Sequence, residues 1–374
     1  MDFNTRYAKL NDNQRQAVDY IHGSLLVIAG PGTGKTELLS MRTAQILRQT
    51  DTLPNSILCL TFTESGATNM RQRLRQIIGE DAYKIAIHTF HSFGTEIINQ
   101  HREYFFRGAD AQPVDELTQY QIISGILEDL DWRNPLSVKN NGEFVYIKDL
   151  IRIISEFKQS GLTPPELRAI IEDNQSTIAE IAPDIQQVFS AKISKKTIEM
   201  FAPIAEKIAN LATKNPDEKN SKLPASITPY ANVLALSIAH AAQEVIDENS
   251  TKPLTAWKNK WCEKNANGEF VLKDFTAAEK LSAAIDVYEK YVNILSERSL
   301  FDYDDMILSV IQACESHPEL RANLQEQFQF IMVDEFQDTN LAQLRLLFNL
   351  TSENDDNPNI MAVGDDDQAI FSFQ

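Results

Sequence analysis

A chain of 374 residues is long enough for two or three domains, and its 43% apolar and 24% charged residues, with only 13 Gly and 14 Pro, exclude collagen-like, low-complexity and wholly disordered classes. Three cysteines, Cys59, Cys262 and Cys314, stand far apart without a CxxC pair. That excludes a disulfide scaffold and a thiolate zinc site and suits a reduced, cytoplasmic setting. The net charge of -18 is unevenly spread: residues 1–108 carry 12 Lys/Arg against 10 Asp/Glu, and residues 109–374 carry 23 against 43. The acidity belongs to the later part, so it does not exclude a nucleic-acid contact by the first.

The N-terminus has no apolar leader, and the longest early apolar run, Leu25 to Ala29, is far shorter than the roughly 20 residues that cross a bilayer. Neither an export nor a membrane signal is present. Strands are predicted over Leu25–Ala29, Ile57–Phe62 and Ile85–Thr89, alternating with helices over Lys35–Arg48, Glu64–Ile78 and Ser92–His101. That rhythm is the signature of a parallel α/β sheet.

From about Gly108 to Ser299 the rhythm changes to amphipathic helices, including Thr118–Leu130, Tyr146–Gln159, Pro229–Ile246 and Phe275–Ser296. Thr163 and Pro164 read as N-cap and first helical residue, and Gly161 as the stop of the helix before them. The expectation is an all-helical insertion over 109–299 whose exposed loop is Thr213 to Lys222. The α/β domain, begun over 1–108, resumes over 300–374 with a helix at Tyr303–Cys314, strands at Phe330–Val333 and Ile360–Val363, and a helix at Leu341–Leu350 between them.

The sharpest chemical signal is Ala29-Gly30-Pro31-Gly32-Thr33-Gly34-Lys35-Thr36, which follows a predicted strand and opens a predicted helix. Glycines let successive backbone N–H groups face a β-phosphate, Lys35 reaches the β- and γ-oxygens, and the Thr36 hydroxyl takes a Mg²⁺ position. Such a loop needs a carboxylate at the end of a neighbouring strand, and Asp334 after Ile331–Val333 supplies one on the metal side. Glu335 beside it is placed to orient or deprotonate the attacking water. Six scattered histidines give no metal constellation.

Taken in order, these motifs resemble the N-terminal half of the UvrD/Rep family of superfamily 1A DNA helicases. The resemblance runs through LNxxQxxAV at Leu10–Val18, the AGPGTGKT loop, TFTESGATNMRQR at 61–73, HTFHSFG at 88–94, VDEFQDTN at 333–340 and VGDDDQAIFSFQ at 363–374. It implies a RecA-like 1A domain over 1–108 and 300–374 and an insertion corresponding to subdomain 1B. It implies Mg-ATP as cofactor, single-stranded DNA and duplex junctions as partners, 3′ to 5′ movement and a role in DNA repair. Gln14 would read the adenine edge, and Gln368 would sense the γ-phosphate. Thr61, Phe62, Thr63, Thr89 and His91 would line the strand track, and Phe371 and Phe373 would stack bases. Of Arg71, Arg73 and Arg75, at most two can share one helix face.

Three departures stand out. Glu37 follows GKT where relatives carry a basic residue, the final aromatics are Phe rather than Tyr and Trp, and Gln374 takes the place of an arginine. The chain stops inside the last motif, so a second RecA-like domain is expected beyond Gln374, and the chain alone is expected to bind nucleotide better than it turns it over. Two alternatives share these residues: an ATPase that clears proteins from DNA without unwinding, and a binding module without motor activity.

Overall fold

The computed structural model describes residues 3–105, 111–190, 230–248, 250–264, 268–351 and 358–365, with a few isolated positions between 193 and 210. The chain divides into two compact units. The first comprises Met1–Asp115, Ser155–Gly161 and Leu295–Gln374, and the second Glu116–Ile154 and Leu162–Ile294. Ser155–Gly161, in the middle of the interval read as insertion, thus belongs to the first unit.

The first unit is built on a five-stranded parallel sheet: β1 (Leu25–Ile28), β2 (Ile57–Thr61), β3 (Ala86–Thr89), β4 (Phe330–Val333) and β5 (Ile360–Gly364), in the spatial order β1-β5-β4-β2-β3. Every residue of β2 and β4 is buried, as expected of central parallel strands covered on both faces. Alternation along the strands divides them between two cores. Ile57, Cys59, Phe330, Met332, Met361 and Val363 pack with α1 (Phe3–Tyr7), α2 (Asp12–Asp19), α3 (Lys35–Gln49) and α4 (Glu64–Ile78). Leu58, Leu60, Ile331 and Val333 pack on the other face with α5 (Phe90–Gln100) and the helices Tyr303–Ser316, Pro318–Gln327 and Leu341–Leu350.

The predicted helices fall within a few residues of the observed ones. One shift has a clear cause: α5 begins at Phe90 rather than Ser92 because Thr89 is its N-cap, accepting the Ser92 N–H at 3.1 Å. Gly161, at φ 74°, does stop a helix, and a Cβ there would lie 3.0 Å from Ala342 Cα, so any larger residue would meet backbone.

The segment Ser155–Gly161 is tied to its unit by charge. Lys158, fully buried, lies 2.6 Å from both Asp302 and Asp305, Ser155 donates to Asp304, and Arg345 donates to the Gly161 carbonyl.

The second unit has its own core, in which Ile178, Ile181 and Ile185 from the helix Pro164–Ser190 meet Leu234 and Ile238 from Tyr230–Asp247 and Leu254 and Trp257 from Lys252–Trp261. Thr163 and Glu166 cap the first of these reciprocally. The expectation of an all-helical insertion needs one correction. Two small antiparallel pairs interrupt it, Lys139–Asn140 with Glu143–Phe144 and Cys262–Lys264 with Phe270–Leu272. The first turns on Asn141 and Gly142 at φ 50° and 87°, the Asn-Gly hairpin turn, which overrides the helical pattern around it. The Thr213–Lys222 loop lies outside the described residues. Among the described residues, no helix is long and apolar enough to cross a membrane.

Candidate functional site

The loop after β1 is anchored where Ala29 donates its N–H to the Gly364 carbonyl at 2.9 Å, which ties it to the end of β5. Gly32 and Gly34 adopt φ of 72° and 85°, the left-handed region that favours glycine. Within the turn, the Thr33 hydroxyl donates to the Gly30 carbonyl, and Pro31 is exposed. Gly34 is the N-cap of α3 and offers no side chain to the first amides of that helix. Those N–H groups and the helix dipole are therefore directed at the loop's concavity, an arrangement suited to phosphate.

Lys35 and Thr36, the first two residues of α3, meet the end of β4. Lys35 is 9% exposed, and its Nζ lies 2.8 Å from Glu335 Oε2. The Thr36 hydroxyl donates to Asp334 Oδ2 at 3.2 Å. Asp334 is 6% exposed and is held in line with the sheet by its own N–H, which donates to the Leu60 carbonyl. Burial pushes the Asp334 carboxyl up, and the charge of Glu335 adds to that, while the Thr36 hydrogen bond opposes. Glu335 moves the other way. Burial alone would raise it, but the bonds from Lys35 and Gln337 and the lysine's charge outweigh burial and hold it below the ordinary glutamate value. The adjacent acids are thus separated in character, one buried against a hydroxyl and one partly exposed against a cation.

Glu335 adopts φ 51°, ψ 49°, a left-handed conformation in a non-glycine residue, and this turns its side chain back toward α3. Gln337 carries no local sequence signal that marks it. Its amide nitrogen donates to Glu335 Oε2 at 2.9 Å, and its amide oxygen accepts the Asp365 N–H at 3.0 Å. A Cβ on Gly364 would lie 2.7 Å from that oxygen, so glycine is required for the approach. The glutamine joins the ends of β4 and β5, a role that only the tertiary pairing of those strands reveals.

Thr36 and Asp334 are hard oxygen donors brought together at a phosphate loop, and they fit Mg²⁺ that takes its remaining ligands from phosphate and water. Among the described residues, no group of three or more His, Cys, Asp or Glu could hold a metal by itself. Beside the loop is a cleft of about 310 Å³ lined by Asn11, Gln14, Ala17, Val27, Gly34 and Leu38, among others. Gln14 lies there with both ends of its amide engaged: its oxygen accepts the Asn11 N–H and its nitrogen donates to the Thr33 carbonyl, each at 3.0 Å. It links the N-cap of α2 to the phosphate loop.

The residues read as a strand track gather at the paired ends of β2 and β3, where Thr61 stands opposite Thr89. Thr61 is buried and donates to the Thr63 carbonyl, Thr63 caps α4, and Thr89 caps α5 while donating to Glu64. Phe62 is 43% exposed. His91 meets the exposed Tyr303 edge-on at 6.4 Å and is held toward its neutral form by burial.

The three arginines of α4 have separate partners: Arg71 donates to the Ile87 carbonyl, Arg73 pairs with Glu37, and Arg75 approaches Glu80. Glu37 also pairs with Arg6 at 2.8 Å, so the carboxylate after GKT is held by two guanidinium groups. Gln368, Phe371 and Phe373 lie outside the described residues.

A sequence model of the UvrD/REP helicase N-terminal domain matches residues 10–374. The chain is 26% identical over 365 residues to the ATP-dependent DNA helicase PcrA of Staphylococcus aureus, covering 98% of this chain and 34% of that protein. It is 25% identical over 370 residues to DNA helicase II of Rickettsia typhi, covering 98% and 38%. The chain therefore spans little more than a third of the length of these curated relatives. The match runs through the phosphate loop, the paired acids of β4 and the end of β5, and on it the chain belongs to the UvrD/REP helicase N-terminal domain family.

Proposed function

We propose that this chain is the ATP-binding portion of an ATP-dependent DNA helicase or translocase, with Mg-ATP and single-stranded DNA as ligands, moving 3′ to 5′ and working at duplex junctions. In this reading residues 1–108 and 300–374 serve as the RecA-like 1A domain and residues 109–299 as the counterpart of subdomain 1B. A second RecA-like domain is the partner that such a motor requires. The single observation that carries the reading is the meeting of Lys35 and Thr36 with Glu335 and Asp334 across the loop.

Thr36 and Asp334 would hold Mg²⁺, which when bound supplies positive charge to the phosphate oxygens. Lys35 is the cation for which Glu335 and phosphate compete. When Lys35 turns to phosphate oxygens, Glu335 keeps its bond from Gln337 and becomes free to orient a water and accept its proton. Gln14 positions the loop through the Thr33 carbonyl, and the adenine would sit in the cleft beside it. Phe62 and His91 are the members of the strand track that offer ring surface to bases.

Calorimetric titration with Mg-ATP tests this. The wild-type chain is expected to bind and Lys35→Ala to bind at least tenfold more weakly, since charge-assisted hydrogen bonds contribute about 1.5 to 3 kcal/mol. Equal affinity in the two would overturn the reading.

A further inference from the structure

The second unit carries a basic island within an acidic stretch. Residues 252–273 hold five lysines against two glutamates, whereas residues 109–374 as a whole hold 23 basic against 43 acidic residues. The island is one structural piece, the helix Lys252–Trp261 running directly into the antiparallel pair Cys262–Lys264 and Phe270–Leu272. Lys264 stands opposite Phe270 in that pair, with its Nζ 5.4 Å from the ring centroid. Lys258, from the last turn of the helix, brings its Nζ to 4.4 Å from the same centroid. Lys260 lies 5.3 Å from the Trp261 ring, and Lys273 donates to the Asn259 carbonyl.

Two like charges converge on one ring, and among the described residues neither Lys258 nor Lys264 has a carboxylate in ion-pair contact. Of the two acids, Glu263 stands opposite Val271, so the pleat turns it to the other face of the pair from Lys264 and Phe270. Favourable placement at the carbonyl end of a helix accounts for Lys258 and Lys260. It does not account for Lys264, which lies beyond the helix, whereas Lys273 is held by its bond to the Asn259 carbonyl. Ring contacts hold the ammonium groups in place at the surface, and Trp261 and Phe270 remain partly exposed beside them. Fixed cations next to partly exposed aromatic rings are the combination that grips a single strand through phosphates and base faces.

We propose that Lys258, Lys260, Lys264 and Lys273, with Trp261 and Phe270, form a second binding site for single-stranded DNA, separate from the strand ends of β2 and β3. The inference rests on the DNA-motor reading above and adds to it a contact made by the second unit. Its test is a salt titration of the full chain on a labelled oligothymidylate. For Lys258→Gln/Lys264→Gln the slope of log affinity against log salt is expected to be shallower by about 1.4, at about 0.7 per phosphate contact on a single strand. Lys280→Gln/Lys290→Gln removes the same charge from exposed positions elsewhere in the second unit and is expected to leave the slope within about 0.3 of wild type, well under half of one such contact.

A lysine-pair variant with the wild-type slope and an unchanged melting curve would overturn the site while leaving the motor reading intact. Failure of the wild-type chain to bind any oligonucleotide would overturn both. An effect seen with duplex alone, or equal lysine-dependent binding of heparin, a polyanion without bases, would overturn the assignment to single-stranded DNA. Phe270→Leu, which keeps the apolar core contact but removes the ring, is expected to weaken single-strand binding with no change in slope.

Discussion

Two buried lysines of the first unit sit beside carboxylates and do opposite things. Lys158 is wholly inaccessible and has two partners, Asp302 and Asp305, each at 2.6 Å and each no more than 20% exposed. Lys35 is nearly as buried but has one ion-pair partner, Glu335, which is 38% exposed. The first arrangement has no room for another anion and locks Ser155–Gly161 to the helix Tyr303–Ser316. The second is unfinished by comparison, because the partner can turn to water and leave the cation to a ligand. Burial alone does not distinguish the two lysines; the number and exposure of their partners do.

The largest effect expected is on chemistry at the exposed partner. In the full-length protein, Glu335→Gln should keep nucleotide affinity and lower turnover by about 10² to 10⁴-fold, the usual contribution of a positioned base. A steady-state ATPase assay showing wild-type turnover would remove Glu335 from that role. Next is Lys158→Ala, which strands two buried carboxylates and should cost about 3 to 5 kcal/mol in denaturant unfolding. Lys35→Ala should change unfolding by less than about 1 kcal/mol, because Glu335 stays hydrated. Comparable losses from the two lysines would collapse the distinction.

The smallest effect separates the two acids around Lys158. Burial, reinforced by the charge of Asp302, pushes the Asp305 carboxyl up to about 6 against the pull of Lys158. Because the folded state holds that proton where the unfolded chain has lost it, this group's contribution to stability declines as pH rises from about 4 to 6. Asp305→Asn keeps an oxygen to accept the Asp302 N–H, so it should be neutral or slightly stabilising at pH 7. It should also flatten that part of the pH profile, as measured by unfolding at each pH.

Lys35 was legible in the sequence because its neighbours are chemically improbable together: a run of small residues between an apolar strand and a helix. Lys158 was not, since a single lysine in an amphipathic helix reads as solvent-facing, and its two acids lie more than 140 positions away. The same limit hid Gln337, whose partners are Glu335, two residues off, and Asp365, just past the end of β5. Sheet strands and most helix bounds were readable because apolar period and capping residues are local. The small pair at Lys139–Phe144 escapes the helical pattern although its Asn-Gly turn is a local signal too. The hydroxyls Thr61, Thr63 and Thr89 show how a motif mixes tasks, with each engaged in the caps and turns that close the strand ends.

The strand order has a consequence for biosynthesis. β1 is an edge strand whose sheet partner is β5, with Leu25 beside Met361 and Val27 beside Val363. At about 5 to 20 residues per second, roughly 20 to 70 s pass between the emergence of one and the other from the ribosome. During that interval the backbone of β1 has no ladder to join, and the loop that follows it lacks the Gly364 carbonyl that anchors Ala29. The cleft beside that loop is therefore assembled only after β5 has emerged, and a ligand held there can stabilise the nascent chain only from that point on. Until then Leu26 and Ile28, which remain 59% and 64% exposed even after folding, leave an unpaired apolar strand open to wrong partners.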